Sequence, residues 1–116
     1  PSRSASDQLE ERQHLKRLWQ EVCELPVRQR TALLLNLRDA EGCSVIELFP
    51  FTGVATHAEI AAALEMTFED FHQLWKGLPL EDLEIAARLG VTRQQVINLR
   101  KSARERLARR LHRVAG

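Results

Sequence analysis

Apolar residues in this chain recur at spacings of three and four rather than two, and each such run is bounded by Pro, Gly or a short polar break. That period belongs to helices with one buried stripe. Leu9, Leu15, Leu18, Trp19 and Val22 line up over residues 7 to 24, with Asp7 as a cap and Glu10 three residues on. Leu25-Pro26 ends that helix and opens a second, VRQRTALLLNLRD, which buries Ala32, Leu33, Leu34 and Leu37 and stops at Glu41-Gly42. Between residues 43 and 57 the pattern breaks down. A short helix could begin at Ser44, but Pro50 and Gly53 interrupt it, leaving an apolar loop with Phe49, Phe51 and Val54 expected to tuck onto the core. Two helix pairs follow, over about 58 to 75 and 80 to 113, separated by Gly77 and the Leu78-Pro79 step. The expected fold is an all-α bundle of about six helices in a single domain.

The two pairs are copies of one another. EIAAALEMTFEDFHQLW from Glu59 and EIAARLGVTRQQVINLR from Glu84 align without a gap and match at seven of seventeen positions. In the second copy Gly90 supplies a left-handed turn, Thr92 an N-cap and Gln95 the other half of a capping box. Ile85, Ala86, Leu89, Val91, Val96 and Leu99 fall where two steeply crossing helices bury side chains. This is a helix-turn-helix. Ile60, Ala61, Leu64, Met66, Phe71 and Leu74 repeat that framework in the first copy, which should fold alike.

Charge separates the copies. The chain carries a net +1, but residues 88 to 113 hold +8 and everything before them −7. Such polarity aims one end of the molecule at a polyanion. On a helical wheel Val96, Leu99, Ala103 and Leu107 make the buried stripe of the last helix. Gln94, Asn98 and Lys101 lie opposite, flanked by Arg93, Ile97 and Arg104. Amides pair with adenine, Arg and Lys with guanine, and an aliphatic group meets the thymine methyl, so these residues suit a major groove. Arg106, Arg109, Arg110 and Arg113 farther along offer phosphate contacts or solubility. The first copy puts Glu65 in place of the turn Gly, Glu69 and Asp70 in place of the glutamines, and Trp75 in place of Arg100, so it should not hold DNA. Its Phe68 and Trp75 widen the apolar face. They are expected to pack on the first two helices and the loop around Phe51, with a docking face for a protein partner as the alternative.

VTRQQVINLRKSARERL preceded by LEIAARLG resembles the promoter-reading helix-turn-helix in the C-terminal region 4 of bacterial sigma-70 family factors, and LPVRQRTALLLNLRDAEG resembles the helix that opens that domain. The likeness covers 52 of 116 residues. It implies recognition of the upstream (-35) promoter element and docking on the RNA polymerase core, with an anti-sigma factor as a further partner. By position it implies base reading by Arg93, Gln94 and Asn98, and phosphate contacts by Arg88, Thr92 and Lys101; beside these, the aliphatic Ile97 is a further candidate for base contact, and Arg100 and Arg104 by their charge for phosphates. The division expected is an N-terminal helix (1–24), the opening helix (25–42), an insert bearing the degenerate pair (43–79) and the DNA-binding pair (80–113). In the family the helix-turn-helix follows the EG step almost directly, so residues 43 to 79 are a departure bearing on polymerase docking.

Other chemistries find little support. Cys23 and Cys43 are far apart without metal-ligand spacing, no triad, paired carboxylates or phosphate-cradling Gly loop can be assembled, and neither an enzyme nor a cofactor is expected. No apolar run approaches a membrane span and no signal peptide is evident, so a reducing cytoplasm is the expected location. The polar lead-in PSRSASDQ, without Met, suggests a piece of a longer product. The competing function is an adaptor that binds polymerase or an anti-sigma factor without reading DNA.

Overall fold

A computed structural model describes the backbone of residues 5–115 and the side chains of residues 6–112. It is all-helical, with seven helices in the described residues: α1 (Ala5–Cys23), α2 (Val27–Leu34), α3 (Leu48–Phe51), α4 (His57–Ala63), α5 (Phe68–Trp75), α6 (Asp82–Leu89) and α7 (Arg93–Ala115). The long α7 is the organising element, lying across α2 and α6 and reaching α1. Its buried stripe of Val96, Ala103 and Leu107 joins Leu33, Leu34 and Leu35 of the α2 segment, Trp19 and Val22 of α1, and Ile85 and Ala86 of α6 in one core.

The first helix meets that core with its C-terminal half. Trp19 and Val22 are buried and Leu15 and Leu18 partly so, but Leu9 is 55% exposed, contrary to its place in the expected stripe. Asp7 lies within the first turn of α1. Arg110 of α7 grips the other end of α1, donating to Glu21 at 2.8 Å and Glu24 at 2.6 Å.

The second helix is shorter than its apolar run predicts. It stops at Leu34 because the next residues bond to a distant segment: the Leu35 carbonyl accepts from the Leu80 N–H at 2.7 Å, and Asn36 Nδ2 donates to the Leu80 carbonyl at 2.7 Å. The chain then turns back through an antiparallel bridge between Arg38 and Ser44. The Asp39 carboxylate closes that turn by accepting the N–H groups of Glu41 and Cys43, with Gly42 at φ +85°.

A further helix, α3, forms where only an interrupted start was expected. Pro50 is its third residue, where an N–H has no intrahelical partner to lose. The loop expected on the core is divided. Phe49 is buried against Trp19, ring centroids 5.1 Å apart, whereas Phe51 is 87% exposed.

The two copies share a backbone plan in detail. The turn N–H of Met66 reaches the Ala61 carbonyl at 2.9 Å, and that of Val91 reaches Ala86 at 3.0 Å. Glu65 (φ 55°) and Gly90 (φ 68°) hold the same left-handed place. Thr67 caps α5 by accepting from the Asp70 N–H, as Thr92 accepts from Gln95.

Candidate nucleic-acid interface

The basic end of the molecule is built on the α6–α7 pair. Gly90 closes α6 in the left-handed region, and a Cβ there would meet nothing within 4 Å, so the demand for glycine is conformational rather than steric. A capping box starts α7: the Thr92 hydroxyl accepts from the Gln95 N–H at 3.1 Å, and Gln95 Oε1 accepts from the Thr92 N–H at 2.8 Å. Burial of Val96 and Ala103, with Leu99 partly buried, then fixes which side of α7 faces outward.

On that outward side Arg93, Gln94, Asn98, Lys101 and Arg104 are exposed and Ile97 is half-buried. At about 100° per residue these six positions fall within an arc of about 140°. Arg93, Lys101 and Arg104 make no ion pair among the described residues. Gln94 and Asn98, one turn apart, are bonded to each other, Nε2 to Oδ1, at 3.1 Å. Thr92 and Arg88 are exposed just before the helix. Arg88 shares a cavity of about 370 Å³ with Asp70 of the first copy and Glu84, so carboxylates stand near it.

Arg100 does not belong to this surface. Its side chain is 11% exposed, and its guanidinium donates to Asp82 Oδ1 at 2.6 Å, across the crossing of α6 and α7. The phosphate-contacting role expected from its charge is therefore replaced by a structural one. The first copy has the equivalent contact in another chemistry. His57, the counterpart of Asp82, meets Trp75, the counterpart of Arg100, edge to face with ring centroids 4.7 Å apart. An ion pair latches one unit and an aromatic pair the other. Arg110 is likewise engaged, and its bond to the Glu21 carboxylate holds the guanidinium pKa above its ordinary value. Arg109 is exposed and Arg106 half-buried, while the side chain of Arg113 lies outside the described residues.

The two aromatics expected to pack, or alternatively to form a partner face, differ in exposure. Trp75 is half-buried against His57 and Phe71, packs on the common core and borders a cavity with Ile46, Leu78 and Pro79. Phe68 is 51% exposed at the start of α5, stacked on His72.

One residue was missed in the sequence. Arg28, in the first turn of α2, is exposed and lines a surface concavity of about 230 Å³ with Gln95, Asn98 and Ser102 of α7. Only the packing of α2 across α7 brings it to the basic face. Its neighbour Arg30 is differently occupied, donating to the carbonyls of Ala63, Cys23 and Leu25.

Among the described residues no three His, Cys, Asp or Glu side chains converge as a metal site, and no helix is long and apolar enough to cross a membrane. Comparison with protein-family models, curated proteins and solved structures gives no match to this chain.

Proposed function

We propose that this chain binds double-stranded DNA sequence-specifically, laying the N-terminal half of α7 in the major groove, and that it acts in transcription initiation or regulation in the manner of sigma factor region 4. The observation that carries this reading is the outward arc of α7. Arg93, Lys101 and Arg104, which form no ion pair among the described residues, surround two exposed amides on a capped and well-packed helix. Cations left unpaired serve a polyanion better than they serve the fold, and the amides supply base-edge chemistry that simple solubility does not require. The family likeness adds promoter DNA and the RNA polymerase core as partners and a bacterial cytoplasm as the setting.

The test is a fluorescence-anisotropy titration against promoter fragments and mixed-sequence duplexes at several salt concentrations. Arg88, Lys101 and Arg104 are exposed cations assigned to phosphates in this reading, with Arg28 beside them. Three or four such contacts predict that log K falls with log salt at a slope of about −2.7 to −3.6. Arg93→Glu should abolish binding. Absence of binding to every duplex at low ionic strength would sink the proposal.

The adaptor reading keeps one specific support, the outward Phe68 at 51% exposure, because exposed aromatics favour protein contacts. It predicts binding to core polymerase or an anti-sigma factor that Phe68→Ala weakens while duplex DNA has no effect.

A further inference from the structure

Three neutral amides lie in the first turns of α7, and they are not equivalent. Gln95 is committed to the cap, its oxygen accepting from the Thr92 N–H. Gln94 and Asn98 are both exposed, and they meet in a directed bond: Gln94 Nε2 donates and Asn98 Oδ1 accepts at 3.1 Å. We infer that Gln94 is the base reader of α7, that its base is adenine, and that Asn98 is a positioning residue acting through Gln94. The inference rests on the DNA-reading proposal and refines it.

The chemistry follows from what the bond leaves free. An amide nitrogen has two hydrogens. With one held by Asn98, Gln94 retains the other N–H beside a free Oε1, a donor next to an acceptor. Adenine presents the complement in the major groove, the N7 acceptor beside the N6 amino donor. Asn98 is differently placed. Its Oδ1 is turned along the helix toward Gln94, so a bidentate contact of its own to adenine would have to use the remaining lone pair and share that oxygen between Gln94 and the N6 amino group.

The arrangement also has an entropic consequence. An exposed glutamine has three rotatable bonds and samples many rotamers, and fixing them on binding opposes affinity. The i, i+4 bond restricts Gln94 before DNA arrives, and the capped, buried stripe of α7 holds the backbone beneath it. Asn98 thus acts on specificity without touching a base.

Selection from randomised duplexes with wild type, Gln94→Ala, Asn98→Ala and Asn98→Asp separates these roles. All substituted positions are exposed, and circular dichroism checks that α7 stays helical. Wild type should prefer adenine at one position by roughly 5- to 150-fold over other bases. Gln94→Ala should erase that preference. Asn98→Ala should reduce it at the same position by about 2- to 10-fold, the range expected when one side chain loses its preorganisation. Asn98→Asp keeps an acceptor for the Gln94 N–H, so the adenine preference should persist even as the added charge weakens binding to every sequence. The assignment is overturned if Asn98→Ala flattens a different position, which would make it a reader in its own right, or if Asn98→Asp behaves like Asn98→Ala. A wild-type motif that Gln94→Ala leaves intact overturns the assignment and leaves DNA reading standing. If wild type enriches no motif, both fall.

Discussion

Replacing Arg100 tests the structural reading of the helix-turn-helix against the one its charge suggests. A phosphate contact predicts that Arg100→Ala lowers the salt slope by about 0.9 and leaves stability alone. The packing predicts the reverse. Arg100 and Asp82 are 11% and 19% exposed, their N–O distance is 2.6 Å, and the bond joins the first turn of α6 to the middle of α7. Breaking a fully buried pair costs about 3–5 kcal/mol. Here the stranded Asp82 keeps some solvent contact and sits in the first turn of α6, where the helix dipole favours an anion, so about 2 kcal/mol is expected. Asp82→Ala should cost more, about 3 kcal/mol, because it strands a cation whose other terminal nitrogen is already buried without a partner. The unfolding entropy expected for 116 residues is about 240 cal/mol/K, so each kcal/mol lowers Tm by about 4 °C and Arg100→Ala by about 8 °C. The double variant should lose less than the sum of the two. Thermal melts and salt titrations on Arg100→Ala and Lys101→Ala make the comparison, because the neighbouring Lys101 is exposed and should show the opposite signature. An unchanged Tm with a reduced salt slope for Arg100→Ala would refute the assignment.

In the first copy, Trp75→Arg alone should destabilise by about 2–4 kcal/mol through lost aromatic packing, and adding His57→Asp should recover part of that loss by recreating the ion pair of the second copy; a denaturant double-mutant cycle measures the coupling, and strict additivity would mean that the positions are not equivalent. Glu65→Gly should stabilise by about 0.5–1 kcal/mol, since relief of a left-handed non-Gly residue exceeds the added entropy of the unfolded chain, and a lowered denaturation midpoint would contradict this. Asp70→Asn should strengthen duplex binding up to about threefold by removing a carboxylate from the cavity of Arg88, whereas Glu69→Gln should have less effect; equal responses in the anisotropy titration would mean that Asp70 does not act on Arg88.

The features that were legible in the sequence are those whose causes are local. The left-handed Gly90, the Thr92–Gln95 cap and the Ile85–Val96 crossing lie within a dozen residues of one another, and the structure has each as the pattern suggests. The first copy was equally readable, since the same spacing recurs there with another set of side chains. What escaped depends on partners distant in the chain. The run Ala32 to Leu37 reads as continuing helix, and nothing near it reveals that Leu80 will take the Leu35 carbonyl. Arg28 looks like any first-turn cation until α2 is laid across α7. Arg100 is a more instructive miss. Charge alone placed it with Lys101, but the two copies differ together at both ends of the latch, Asp82 with Arg100 and His57 with Trp75. That paired change within one chain already hinted at contact.

The same paired change bears on why one framework is used twice. Both copies close their turns by equivalent backbone bonds and cap their second helices with an equivalent threonine, so the fold places little demand on the outward residues, which have diverged. The start of α5 offers Phe68, Glu69 and Asp70 where α7 offers Arg93, Gln94 and Gln95, and carboxylates there oppose phosphates. The first copy is not idle in the structure, however. The carbonyl of Ala63, at the end of α4, accepts from Arg30 of α2 at 2.6 Å, and Trp75 borders the Leu78–Pro79 linker whose next residue, Leu80, is fastened to Leu35 and Asn36. The helix against which α7 packs is therefore also tied to the acidic pair through Arg30 and to the linker that follows that pair through Leu80. If α7 reads DNA, its seat in the molecule depends on the copy that does not, and changes that loosen the grip of Arg30 on Ala63 should reach DNA affinity through the placement of α2 and α7 without altering any residue on the basic face.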